Sequence, residues 1–139
     1  MLREGALLLV RYRDSGGSTY LVGPGGALEE GENAVDAVVR EVREETGVTV
    51  RPRKVVAVED LESARRKMCK MWMLCEFISG DVQRTAGAVE EGIVEAGWFA
   101  RHEVADETVY PPFLKSHEWE SFLATDWQVL CLPSRRAEF

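Results

Sequence analysis

Residues 40–47 read REVREETG, and they follow GPGGALEEGE at 23–32. In a helix, Glu41, Glu44 and Glu45 stand at i, i+3 and i+4 and share a face, where like charges oppose one another by roughly 0.2–0.5 kcal/mol per pair. Glu44 and Glu45 also fall in the last turn before Gly47, at the negative end of the helix dipole. Such a helix needs another source of stability and a use for its charge. Val35, Val38, Val39 and Val42 supply the stability. Their i, i+3, i+4, i+7 spacing forms an apolar stripe, about 100° or more around the helix from the glutamates, that predicts packing on a sheet. Asn33, with Asp36 three residues on, reads as an N-cap and a variant capping box, and Gly47 as the stop.

The use of the charge is read from its neighbours. Ala34 and Ala37 keep the glutamate side narrow enough for a loop or ligand to approach, and Arg40, four residues before Glu44, is placed to hold that carboxylate. The charge cluster alone also reads as a solvated acidic face. Upstream, however, the glycines at 23, 25 and 26 make a turn whose backbone can come close to a ligand. Carboxylates beside a close-approach loop are the donor set of a hard divalent cation, since Mg²⁺ takes oxygen ligands, commonly carboxylates together with substrate phosphates.

The whole chain limits the rest. Its 139 residues are expected to form one domain over 1–139, and 45% hydrophobic with 29% charged residues are globular values. A formal net charge of −7 argues against a nucleic-acid partner, which requires a basic face. It leaves small phosphate ligands open, because a bound divalent cation bridges an acidic site to a phosphate. Cys69, Cys75 and Cys131 form no CxxC pair and read as reduced thiols of a cytoplasmic protein. The apolar run in MLREGALLLVRYR is too short for a signal peptide, is closed by Arg11 and Arg13, and reads as a first strand. No run has the length of a membrane-spanning helix.

Strand-like runs occur at Ala6–Tyr12, Thr19–Val22, Val48–Glu59, Lys70–Ile78 and Glu95–Phe99, separated in part by the turn signals DSGGS, GPGG and ISGD. A second helix is expected from Phe113, after YPP, towards Ala124. Strands with one central and one late helix predict an α+β or layered α/β/α domain.

Gly26, five residues, Glu32, seven residues, then Arg40-Glu41-Val42-Arg43-Glu44-Glu45-Thr46-Gly47-Val48 resembles the Nudix box, with every fixed position filled and valine at both aliphatic ones. One departure stands beside it: where that family commonly has an aliphatic residue before Pro-Gly-Gly, this chain has Gly23. The resemblance implies a Nudix fold, an α/β/α sandwich with a central mixed β-sheet and the box as loop–helix–loop. It implies Glu41 and Glu45 as the main metal ligands, with Glu44 as a further ligand or as the base that activates water. Arg40 would orient the carboxylates, and the Gly26 carbonyl would add a ligand, with Gly25 and Glu32 in support. It implies Mg²⁺, with Mn²⁺ as a substitute, and hydrolysis of a phosphoanhydride in a nucleoside diphosphate linked to another moiety. The family also takes its base from an acidic loop before the last central strand. Here that loop is VEEGIVEAGWF at 89–99, so Glu91 and Glu95 are candidates, with Glu90 read as a solvent charge. The choice among Glu44, Glu91 and Glu95 stays open.

Among substrates, a nucleoside or deoxynucleoside triphosphate ranks first. ADP-ribose or a nucleotide sugar is the alternative; the zone around SARRK at 63–67 holds neither the proline of ADP-ribose-cleaving relatives nor the tyrosine of diadenosine-polyphosphate-cleaving ones, which weakens both of those assignments. A non-catalytic nucleotide sensor and an isoprenoid diphosphate isomerase are rival classes, and the intact box argues against both. A homodimer is compatible with the resemblance, without an interface pattern in the chain. Trp72, Tyr20, Tyr12, Tyr110 and Phe113 are candidates for stacking a base, against core packing as the plainer reading. Arg65, Arg66, Lys67 and Lys70 form a basic stretch that is either a phosphate-contacting loop or a solvated hairpin connection. Met68, Met71 and Met73 read as core filler, and His102 and His117 as surface residues.

Overall fold

The computed structural model describes residues 1–62 and 67–136, so Ser63 to Arg66, including the basic pair Arg65 and Arg66, lie outside the described residues. The order is β1 (Leu2–Arg3), β2 (Ala6–Arg13), β3 (Thr19–Val22), α1 (Ala34–Thr46), β4 (Thr49–Glu62), β5 (Lys67–Ser79), α2 (Ala86–Glu90), β6 (Ile93–Ala100), β7 (Val109–Tyr110), α3 (Phe113–Ser116), a 3-10 turn (Trp119–Leu123) and β8 (Leu130–Arg136).

Strand β2 explains the layering. Its run of Leu7, Leu8, Leu9 and Val10 is apolar on both parities, so neither face can be left in water. Leu7 and Leu9 pack with Phe99, Phe113, Trp119 and Phe122 on one side. On the other, Leu8 packs with Val42 and Val48, and Val10 with Val22, Ala88 and Ile93. Helices therefore cover both faces, as expected of an α/β/α sandwich. β1 and β3 share one edge of β2 and β6 takes the other, all antiparallel, while β7 joins β3 in parallel and makes the sheet mixed. A second, three-stranded sheet holds β4 between antiparallel β5 and parallel β8.

The central helix starts and stops where the sequence places its caps. Asn33 accepts from the amides of Val35 and Asp36 at 3.0 Å each. Its own side-chain amide donates to Asp36 at 2.7 Å, so the capping box closes through side chains. Gly47 takes φ 75°, a left-handed value that costs glycine little, and donates to the Arg43 carbonyl. The valine stripe holds from the second turn onward. Val42 is buried and Val38 and Val39 pack against the same cluster, but Val35 is 50% exposed.

Three expectations change. The late helix breaks at His117, whose backbone turns extended, with the Trp119 indole donating to the Leu114 carbonyl at 2.7 Å. The 3-10 turn then puts Trp119 and Phe122, three residues apart, on one buried side. His117 is accordingly half-buried, edge-on to Phe113 and Trp127, rather than a surface residue. Met71 is 45% exposed rather than core. Helix α2, at five residues, is too short to show a period, and β8 carries Pro133, which an edge strand tolerates.

Candidate active site

The inner face of α1 is not purely apolar. Ala37, Glu41 and Glu45, four residues apart in turn, are all buried, Glu45 completely. Glu44 lies on the outer side with its side chain 51% exposed. The cluster expected as one face is therefore divided into two buried carboxylates and one exposed one.

Glu45 is held from two elements. The Tyr12 hydroxyl on β2 donates to its Oε1 and the Gly25 amide to its Oε2, each at 3.1 Å. Tyr12 thus contributes a bond to the helix; its parity on β2 with Leu8 and Val10 was the sequence signal for that inward direction. Gly26 lies against Glu41: a Cβ built there would collide with the carboxylate, 2.7 Å from its carbon. Any side chain at 26 must displace Glu41, which is the physical reason for glycine. Gly23 sits beside Trp72, with its would-be Cβ at an ordinary 3.6 Å from the ring.

Arg40 is the hub of the outer side. Its guanidinium donates to both Glu32 oxygens at 2.9 Å, to Glu41 at 2.9 Å, to Glu44 at 3.0 Å and to the Ala27 carbonyl at 3.0 Å. One side chain ties the loop to the helix and balances carboxylates that repel. Its hydrogen bonds bring Glu32 down to about 2.

Glu91 arrives through α2. The last carbonyls of α1 are capped from the following segment: the Gln83 amide donates to Thr46 at 3.0 Å and the Thr85 hydroxyl to Glu44. Thr85 is also the N-cap of α2. A Cβ on Gly87 would stand 3.4 Å from the Glu44 carbonyl, so this glycine permits the close helix approach. At the end of the five-residue helix, Glu91 comes beside α1. Glu41, Glu45 and Glu91 each offer an oxygen within 4.8 Å of the others. Glu44 is outside that trio, on Arg40. Glu95 is outside it too, on β6 with its carboxylate 2.7 Å from Arg11, which also pairs with Glu107 at 2.9 Å.

The electrostatics of the trio fit a cation. Burial, reinforced by Glu91 and Glu41, pushes Glu45 up to about 8 against the pull of its Tyr12 and Gly25 hydrogen bonds. Burial also raises Glu41, opposed by Arg40. Three carboxylates gathered where two resist ionising form an all-oxygen donor set for a hard divalent ion, which would relieve both burial and repulsion.

The aromatic candidates divide. Phe113 is core. Tyr12, Tyr20, Tyr110 and Trp72 are half-buried around a smaller cluster. Lys70 stands 5.5 Å from the Trp72 ring, and burial lowers its pKa.

Fold and site together define a class: the NUDIX domain family model matches residues 1–119, and the chain belongs to the Nudix hydrolase family. Among curated relatives, it is 29% identical over 118 residues to the human 8-oxo-dGDP phosphatase NUDT18, covering 83% of this chain and 32% of that protein. The zebrafish (Danio rerio) protein of the same name is 33% identical over 89 residues, 64% of this chain and 26% of that one. The chain thus spans about a third of the length of the curated relatives it matches. In fold it is similar to an ADP-ribose pyrophosphatase from Streptococcus suis, with TM-score 0.67 and 24% identity over 94% of this chain and 92% of that one. A NUDIX hydrolase from Nitrosomonas europaea gives TM-score 0.69 and 24% identity, with 86% and 83% covered.

Proposed function

We propose that this chain is a divalent-cation-dependent pyrophosphohydrolase that cleaves a phosphoanhydride of a nucleoside diphosphate linked to another moiety, with a nucleoside or deoxynucleoside triphosphate as first substrate and Mg²⁺ as the ion. The carrying observation is the trio Glu41, Glu45 and Glu91, three carboxylate oxygens within 4.8 Å of one another, two from α1 and one from the end of α2. Glu41 and Glu45 would hold the ion, with the Gly26 backbone beside Glu41 as a further oxygen source. When bound, the ion would neutralise phosphate oxygens and lower the pKa of water. Tyr12 and Gly25 fix the Glu45 carboxylate, and Arg40 fixes Glu41, so the anionic oxygens are preorganised. Glu91 is the exposed member of the trio and faces the others from a separate element. We assign it the proton of the attacking water, because Glu44 is engaged by Arg40 and Glu95 by Arg11.

The names of the curated relatives support a deoxynucleoside phosphate ahead of a sugar-linked nucleotide. We also propose that one domain spans 1–139, since β8, beyond the matched segment, pairs with β4. A cytoplasmic setting is supported by three free thiols. Among the described residues no helix is long and apolar enough to cross a membrane.

The test is release of phosphate or pyrophosphate from a panel of ribo- and deoxynucleoside triphosphates, 8-oxo-dGDP, ADP-ribose and a nucleotide sugar, with Mg²⁺ and with chelator. Mg²⁺-dependent turnover of a nucleoside phosphate, lost in a folded Glu45→Gln variant, is expected. No metal-dependent turnover across the panel sinks the reading in favour of a nucleotide sensor.

A further inference from the structure

A row of rings leads away from the carboxylates. Tyr12, bonded to Glu45, stacks on Tyr20 with centroids 5.7 Å apart, and Tyr20 meets Tyr110 edge-on at 5.5 Å. Over Tyr110, at 4.2 Å from the ring centre, lies the guanidinium of Arg135 on β8. This strand follows the matched family segment, so the residue belongs to a part of the chain that the box does not describe.

Arg135 is fixed from behind. Its Nε donates at 3.0 Å to Glu59, which is 2% exposed and whose other oxygen accepts from the Trp72 indole at 3.3 Å. A buried ion pair is a poor source of stability, because desolvation offsets the attraction. Its effect here is orientation: Nε is committed inward, and the side chain remains 30% exposed. Among the described residues, Nη1 and Nη2 make no hydrogen bond, so a planar pair of donors is left at the far end of the aromatic row.

Two parallel N–H donors match two adjacent acceptors. A phosphate supplies them, but the phosphates belong at the carboxylate end, several ring contacts away. The far end is where a nucleobase would lie, and aromatic faces are surfaces on which bases stack. Among bases, guanine presents O6 and N7 side by side, whereas adenine replaces O6 with an N6 donor that opposes an arginine fork. Thymine and uracil offer no such pair, and cytosine sets its N3 and O2 acceptors on a single ring, with less face to stack on the row than a purine has.

Resting on the reading of the trio as the phosphate end, we propose that Arg135 is a specificity-determining residue whose fork reads the O6/N7 edge of a guanine base seated along Tyr20 and Tyr110. Glu59 is the positioning residue that aims it.

Wild type and Arg135→Lys are compared for kcat/KM on dGTP and dATP with Mg²⁺. Lysine keeps a cation for Glu59 and removes the fork, so the fold is preserved, which a thermal melt checks. Wild type favours dGTP, and the variant lowers the dGTP/dATP ratio by about tenfold or more, mainly through KM. A wild type without guanine preference, an unchanged ratio, or an equal rise in KM for both nucleotides overturns the assignment. Titration of metal-free protein with GMP and AMP, followed by tryptophan fluorescence, repeats the comparison without turnover. Selective GMP binding that Arg135→Lys abolishes, in a protein inert on every nucleotide, would sink the hydrolase reading while upholding this one.

Discussion

Replacing Glu45 by glutamine separates what the carboxylate costs the fold from what it does for function. In the metal-free protein Glu45 titrates near 8, against an ordinary carboxylate value of 4.5. Between those two values the native state holds a proton that the unfolded chain releases, so stability falls as pH rises and levels off above about 8. At about 1.4 kcal/mol per pH unit, the interval sets an upper magnitude of about 5 kcal/mol, and relaxation with water entry brings the working figure to roughly 2–3 kcal/mol. Glutamine carries no such penalty. It presents one carbonyl oxygen where Tyr12 and Gly25 now bond to two different carboxylate oxygens, a loss of about 1 kcal/mol. The variant should therefore be the less stable protein at pH 5, by about 1 kcal/mol, and the more stable at pH 8.5, by roughly 1–2 kcal/mol. Thermal or denaturant melts of both proteins in chelator at pH 5, 7 and 8.5 measure the difference, in which titrating groups remote from Glu45 cancel. A difference that stays constant across this range refutes the reasoning.

Two substitutions separate the candidate bases: Glu91→Gln should lower kcat by about 10²–10⁴-fold, with KM little changed, while Glu95→Gln stays within a few-fold of wild type, as steady-state kinetics would show. Arg40→Ala removes the shared partner of Glu32, Glu41 and Glu44, so Mn²⁺ affinity or kcat should drop by about 10–100-fold with a lower melting temperature, and Arg40→Lys should recover only part because it lacks the fork. Full activity in Arg40→Ala would show that the carboxylates are oriented by the backbone alone.

The loop–helix–loop was legible because its determinants are local. Asn33, the valines from Val38 onward, and Gly47 act within a few residues of themselves, and the box spacing fixes which glutamates recur on a turn. The partition of those glutamates was not legible. Glu41 and Glu45 turn inward and Glu44 outward because the groups that receive them, Tyr12, Gly25 and Gly26, come from β2 and the preceding loop. Glu91 is a candidate from the acidic loop alone, but its place beside α1 depends on Thr85 and Gly87 docking a helix too short to show a period. The pairing of Glu59 with Arg135 spans 76 residues and two parallel strands, a separation at which a sequence carries no spacing signal. The late helix failed for a related reason, since burial of Trp119 and Phe122 outweighed the local preference for a continuous helix.

The central claim is that the buried carboxylates Glu41 and Glu45, with the exposed Glu91 beside them, hold a divalent cation. Titration of Mn²⁺ into the protein, with the free ion followed by electron paramagnetic resonance, tests it without any substrate. The account predicts saturable binding to wild type that is lost in Glu45→Gln and in Glu41→Gln and weakened in Glu91→Gln. Equal binding by wild type and the Glu45→Gln and Glu41→Gln variants would contradict it.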